Sequence, residues 1–316
     1  MDQSLLSSRA IAGMYFTSLE TNPGSAMLDG ISNLFTSDQA SETYNFLGQT
    51  PAMREWVGGR QAKGFSGQGI TIFNTHYEAT LEIEVKDARR DKTPQIEARI
   101  AEFSQRAQTH WASLLSTLLI NAPSTVCYDG QFFFDTDHSE GSSGIQDNDI
   151  TVDISALPAA VHGVVTAPSV EEMQQSILKG IAQILSFKDD QGEPMNENAS
   201  RFLVVVPVAL YLTAVAAVST LMTAALQQNL NPNLIAGLTV DVQMNPRLTW
   251  TDSFAVFRTD SPIKAFIRQS ETEVELTVLG EGSDHAFKHK SWQYGLDAWR
   301  GVGYGYWQRA CYVTMT

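Results

Sequence analysis

Asp135-Thr-Asp-His138 sets two carboxylates and an imidazole side by side, the donor types that hold a divalent cation or activate a water. In an extended strand Asp135 and Asp137 share one face and His138 points to the other. No second cluster of the HxxxH kind completes a site, and His76, His110, His162, His285 and His289 are scattered along the chain. A structural hairpin therefore fits this run better than an ion site or a metal-dependent hydrolase built on Asp135, Asp137 and His138. Nucleophilic chemistry has less support. Cys127 and Cys311 sit in no catalytic signature, and no Gly-x-Ser-x-Gly elbow occurs. Gly301-Val-Gly-Tyr-Gly305 precedes a strand pattern rather than a helix, so it aims no helix N–H groups at a phosphate; aromatic packing with tight turns is its reading. No catalytic residue, metal or cofactor is nominated. Recognition chemistry lies elsewhere. Arg54, Glu55, Trp56 and Arg60, with Lys63 in the same loop, combine the residue types favoured as anchors where subunits meet. Isolated surface ion pairs are worth little. These five are read as an inter-subunit contact in preference to an intramolecular brace.

Bulk properties narrow the classes. With 316 residues, 43% hydrophobic and 18% charged, the chain has ample length for a core, in one large or two smaller domains. A net charge of −14 argues against gripping a nucleic-acid backbone across a broad face, although such a protein can enclose DNA while repelling it. Two cysteines are too few for a disulfide framework and lack zinc-ligand spacing; buried free thiols are expected. No basic n-region of a signal peptide marks residues 1–20. The uncharged run Phe202–Leu226 is long enough to cross a bilayer. Pro207 divides it, Thr213, Ser219, Thr220 and Thr223 dilute it, and Lys/Arg clusters are missing from both flanks. A buried strand (Phe202–Val206) followed by a helix (Ala209–Leu226) is expected, and no membrane partner.

The elements follow from periodicity. Residues 1–50 read as an extended arm with short helical pieces such as Gly30–Phe35. Residues 51–92 read as an extended hairpin: glycine breaks, then Ile70–Phe73 and Tyr77–Val85 with period-two alternation. It has too little core to stand alone. Thr93-Pro94 starts a helix carrying Ile96, Ile100, Phe103, Ala107, Trp111, Leu114 and Leu118 on one face as far as Asn121, roughly 42 Å at 1.5 Å per residue. Ser169 and Glu172 form a capping box ahead of a second amphipathic helix. Strands near Leu238–Val242 and Phe254–Phe257 complete a compact α/β unit over 160–260. Strands are expected again at Ala265–Gln269, Thr272–Leu279, Phe287–Tyr294 and Tyr304–Val313. Together with the hairpin and long helix they suggest a second body drawn from both ends of the sequence, with the α/β unit inserted between.

This order resembles the HK97-like major capsid fold of tailed phages, an α+β architecture. The motifs are similar to those of one family, the major head subunit of Mu-like phages and prophages. The resemblance rests on Arg54-Glu-Trp-Val-Gly-Gly-Arg60, Asn74-Thr-His-Tyr-Glu-Ala-Thr80, Leu118-Leu-Ile-Asn-Ala122 and Tyr128-Asp-Gly-Gln-Phe-Phe-Phe-Asp-Thr-Asp-His138. It continues in Leu203-Val-Val-Val-Pro207, Asn231-Pro232, Tyr294-Gly-Leu-Asp-Ala298 and Gly303-Tyr-Gly-Tyr-Trp-Gln308. Residues 50–316 carry it in order; residues 1–49 add nothing, and the loop 139–166 looks particular to this chain.

The resemblance implies an N-terminal arm (1–50), an extended loop (51–92) lying over a neighbour, a peripheral domain with its spine helix (93–159), an axial domain (160–260) and returning peripheral strands (261–316). It implies a shell-forming, non-enzymatic protein of the virion, made in the host cytoplasm. Its partners would be copies of itself, as pentamers and hexamers, with a scaffold or protease, a portal and decoration proteins. Packaged double-stranded DNA would be enclosed without sequence-specific binding. Some related shells crosslink through a loop lysine, but no partner residue for Lys63 is identifiable. The competing classes are a protein-cargo shell or other phage structural protein, and the Asp135/Asp137/His138 hydrolase.

Overall fold

The computed structural model describes residues 7–21, 26–45, 69–90, 95–227 and 238–316. Helices and strands alternate as α1 (Ser8–Thr21), α2 (Ala26–Ile31), β1 (Ser32–Thr36), β2 (Ser41–Asn45), β3 (Gly69–Phe73), β4 (Thr75–Glu84), α3 (Val85–Arg90) and α4 (Gln95–Asn121). Then come β5 (Asp149–Val152), α5 (Val170–Ser186), β6 (Arg201–Val206), α6 (Val208–Gln227), β7 (Thr239–Met244), β8 (Ser253–Arg258), β9 (Phe266–Leu279), α7 (Asp284–His289), β10 (Ser291–Tyr304) and β11 (Ala310–Met315).

Two sheets organise the molecule. One has the order β1-β9-β10-β4, the other β5-β11-β8-β6-β7, and β2 and β3 form a separate two-stranded ladder. The long helix α4 serves two cores, which is why its apolar stripe runs its whole length. Near its start Ile96 and Ile100 pack with Ile11 and Tyr15 of α1 and with Ile83, Trp292, Tyr294 and Leu296 under the first sheet. Farther on, Trp111, Leu115 and Leu119 enter the main core with Phe133, Phe134, Val204, Phe254 and Trp307. At 1.5 Å per residue a helix of 27 residues spans about 40 Å, enough to reach both.

The α/β unit keeps the expected strand, Pro207 and helix in that order, and every residue of β8 is buried. Its sheet is not closed by 160–260 alone, because β5 and β11 join it: β11 pairs antiparallel with β8 and parallel with β5. Among the described residues no helix is long and apolar enough to cross a membrane. Cys127 and Cys311 are buried free thiols.

Helix α5 starts at the expected box. Ser169 Oγ accepts from Glu172 N, and Glu172 Oε2 accepts from Ser169 N at 2.7 Å. The buried Glu172 carboxylate also takes Gly163 N at 3.0 Å and His162 Nδ1 at 2.8 Å, so the box anchors the preceding loop as well. Ser169→Ala is expected to lower stability by about 1 kcal/mol, read as a shifted denaturant midpoint with an unchanged slope.

Four local expectations are corrected. Gly30–Phe35 is not helical throughout: the helix ends at Ile31, and Ser32–Thr36 pairs in parallel with β9, whose edge offers unpaired backbone groups. The strands 70–73 and 77–85 are not two legs of one hairpin. β3 turns back onto β2, with Ser41 opposite Phe73 and Asn45 opposite Gly69, whereas β4 pairs with β10. Only Asn74 separates β3 from β4, too short a link for a hairpin turn. Residues 287–290 are not strand: Ser283 caps α7, Lys290 closes it in the left-handed region at φ 57°, and the strand starts at Ser291. Finally, Gly301 and Gly303 lie inside β10 rather than before a strand, and the chain breaks instead at a short 3-10 helix, Trp307–Arg309.

Candidate functional site

Alternation along β10 sends Arg300 to one face and Gly301 and Gly303 to the other. On the first face the buried Arg300 guanidinium lies 4.6 Å from the Trp111 ring centroid on α4, and Arg268 of β9 lies 5.8 Å from the same ring. Arg268 is paired with Asp29 at 2.6 Å, Arg300 more distantly with Glu273 at 3.6 Å. Burial pulls the Arg300 pKa down, against the opposing pull of Glu273. The cation–π contacts tie α4 to the sheet, and the Asp29–Arg268 ion pair adds α2.

The opposite face seats the β2–β3 ladder. A Cβ at Gly301 would stand 2.7 Å from both Ile72 Cγ2 and the Phe73 carbonyl oxygen, and one at Gly303 would meet Ile72 Cδ1 at 2.4 Å. Glycine is what lets β3 cross so close to β10. A polar seam fixes the crossing. Tyr44 OH donates to Gln269 Oε1 at 2.9 Å, and Gln269 Nε2 donates to Asn74 Oδ1 at 2.8 Å. Asn74 Nδ2 in turn donates to Gln39 O at 2.7 Å. The ladder thus projects from a rigid seat with Asn45 and Gly69 side by side at its far end. Arg54, Glu55, Trp56, Arg60 and Lys63, the expected inter-subunit residues, belong to the segment joining those two ends and lie outside the described residues.

The Asp135-Thr-Asp-His138 run does not form a three-ligand set. Asp135 accepts from Phe132 N and Thr136 N, and Asp137 accepts from Gln131 Nε2, so both carboxylates serve local turns. His138 goes inward instead. Fully buried, it stacks on Trp307 at 4.0 Å and 10°, with Nδ1 2.7 Å from Asp129 Oδ2 and Nε2 3.2 Å from Asn148 Oδ1. Cys127 Sγ lies 3.0 Å from Asp129 Oδ1. Burial works against the Asp129 carboxylate, but hydrogen bonds from His138 and Cys127 outweigh it and hold its pKa low. Burial pushes the Cys127 thiol up, and the adjacent Asp129 charge adds to this. Next to it Tyr128 OH donates to Glu140, whose pKa burial raises although that bond lowers it. Sequence reasoning missed the partnership of Cys127, Asp129, Asn148 and Trp307 with His138, as well as β2. The aromatic density of both islands was the only signal, and it marks packing without naming the pairs.

A family model described as the Mu-like prophage major head subunit gpT matches residues 10–156 and 239–316. The chain belongs to that family. The matched stretches hold the hairpin seat, the helix α4, the His138 turn and β7 to β11. Among gpT-type relatives, the Mu-like prophage FluMu major head subunit of Haemophilus influenzae is 34% identical over 113 residues, covering 36% of this chain and 37% of that protein. The major capsid protein of Escherichia phage Mu is 32% identical over 108 residues, covering 34% and 35%. The chain spans about a third of the length of the curated relatives it matches.

Solved structures extend the likeness in fold to nearly the whole gpT-type chain. The procapsid of bacteriophage JBD30 aligns over 96% of this chain and 72% of its own, with TM-score 0.54 and 21% identity. The capsid of cyanophage P-SCSP1u aligns over 93% and 89%, with TM-score 0.55 and 10% identity. A virus-like particle from Pyrococcus furiosus aligns over 96% and 98%, with TM-score 0.50 and 8% identity. The fold is the HK97-like fold of phage capsid subunits, helices and mixed sheets together.

Proposed function

We propose that this chain is the shell-forming head subunit of a tailed, Mu-like double-stranded DNA phage. Copies associate as pentamers and hexamers that close into an icosahedral head around the genome, and the protein has no enzymatic role. The observation that carries the reading is the gpT family match over 10–156 and 239–316. The seated β2–β3 ladder supplies a physical means. A ladder with little core of its own gains stability by burial against a neighbour.

In this reading residues 1–50 are the arm and 51–92 the extended loop. Residues 93–159 and 261–316 form the peripheral domain, and 160–260 faces the capsomer centre. Arg54, Glu55, Trp56, Arg60 and Lys63 contact the adjacent subunit. The net charge of −14 leaves packed DNA free to slide. A scaffold or protease, a portal and decoration proteins complete the partner set; the protein is made in the host cytoplasm and resides in the virion.

Negative-stain electron microscopy of the purified protein, alone and co-expressed with neighbouring phage genes, tests this. Closed shells, rings of five or six, or sheets of rings are expected. Particles that persist only as monomers or dimers under both conditions would refute it, and shells filled with protein but no DNA would point to a cargo compartment. Trp56→Ala and Arg54→Ala are each expected to abolish closed shells while leaving the melting temperature of the unassembled chain unchanged.

A further inference from the structure

Cys127 Sγ, an Asp129 carboxylate oxygen and a His138 ring nitrogen lie within 4.8 Å of one another. The site is buried: the His138 and Asp129 side chains are 0% and 3% exposed. The surrounding hydrogen bonds fix which His138 nitrogen faces the pair. Asn148 Oδ1 accepts from Asp135 N at 2.9 Å, while its Nδ2 donates to Phe133 O at 2.9 Å. Flipping that amide would break both bonds, so Oδ1 faces His138 Nε2, and Nε2 carries a hydrogen. Nδ1 is then the nitrogen aimed into the thiol–carboxylate pair. A histidine with one nitrogen committed to an amide oxygen and the other facing a thiol and a carboxylate has the orientation that outer-shell partners impose on metal-ligating imidazoles.

We propose that Cys127 Sγ, the Asp129 carboxylate and His138 Nδ1 bind one borderline-soft divalent cation of the zinc type, with a fourth position left for water. A thiolate and an imidazole in the set select zinc over calcium or magnesium. Binding would release the Cys127 thiol proton to solvent, so that the sulfur ligates as thiolate beside the Asp129 carboxylate, two anionic donors for one divalent cation. Tetrahedral zinc places such ligand atoms roughly 3.3–3.7 Å apart; the 2.7 Å and 3.0 Å separations, one to each Asp129 oxygen, would open toward that range, and all three ligand atoms already lie within 4.8 Å of one another. The clip would fasten residues 125–148, a segment with only isolated bridges between α4 and β5.

The protein purified from zinc-supplemented cells should retain one zinc per chain after dialysis, measured by mass spectrometry of the metal, and a strong chelator should lower its melting temperature. Cobalt in place of zinc should give a thiolate charge-transfer band. Cys127→Ser should abolish that band, and His138→Gln should lose the metal. The wild-type chain alone decides the matter if those variants fail to fold. Wild type that retains no zinc after folding in excess zinc, with a melting temperature indifferent to chelator, overturns the proposal and leaves a hydrogen-bonded turn. Zinc retained with no thiolate band on cobalt exchange overturns it equally, as binding elsewhere.

Discussion

Gly301→Val is expected to abolish shell assembly while both sheets remain folded. The added Cβ would stand 2.7 Å from the Phe73 carbonyl oxygen, a main-chain atom that no side-chain rotation can move away. Overpacking of this kind costs about 1–3 kcal/mol when neighbours can adjust. Here the adjustment is for β3 to lift off β10, which also pulls Asn74 away from Gln269. The ladder would then leave its seat. Limited proteolysis should show new cleavage around residues 69–74, with a near-normal melting transition for the rest, and electron microscopy should show no closed particles. Gly295 in the same strand is the control. A Cβ there meets nothing nearer than 3.9 Å, so Gly295→Ala should assemble normally and gain up to about 1 kcal/mol from reduced chain entropy. Wild-type shells from Gly301→Val would remove the seat from the assembly argument.

Trp307→Ala should cost about 3–5 kcal/mol, a large part of the stability of any single core. The indole is fully buried, stacks on His138 and meets Phe187 edge-on at 5.3 Å. Removing it opens a cavity and exposes one face of a polar ring to that cavity, so the loss exceeds the transfer energy of the missing atoms. Trp307→Phe should recover part of it. Trp299 stacks on His76 at 4.7 Å but is 40% exposed, and its alanine variant should cost under about 1 kcal/mol. Denaturant titration of the unassembled chain measures all three. Equal losses at Trp307 and Trp299 would mean that the His138 stack is not a keystone of the core.

The sequence was most legible where structure is local. Helix α4 announces itself through apolar steps of three and four, and α5 through Ser169 and Glu172, because those signals depend on neighbours within one or two turns. Pro207 likewise separates β6 from α6 by a rule of backbone chemistry. Strand partners were not legible. β3 alternates well, yet its pairing with Ser41–Asn45 rather than β4 depends on residues far away in the chain, and β2 itself is polar on both faces. The glycines of β10 read as a loop because their reason, the approach of Ile72 and Phe73, comes from another strand. The candidate site shows the same limit. Asp135, Asp137 and His138 are adjacent in sequence, but the fold sends the first two to local turns and His138 to Cys127, Asp129 and Trp307. Composition marked both aromatic islands; only tertiary structure joins them.

The positions of β10 and β11 bear on how the chain is made. β10 lies between β9 and β4, and β11 lies between β5 and β8. Translation delivers these two strands after the other described strands, at about 5–20 residues per second. Until they emerge, β4 and β5 have no neighbour to pair with among the described strands, and Trp307, which closes the main core, is absent. A polypeptide interrupted during synthesis would therefore have neither sheet complete and no seat for its ladder. Fragments would be sorted from full subunits by their inability to fold, before they could be built into a growing particle as defective parts.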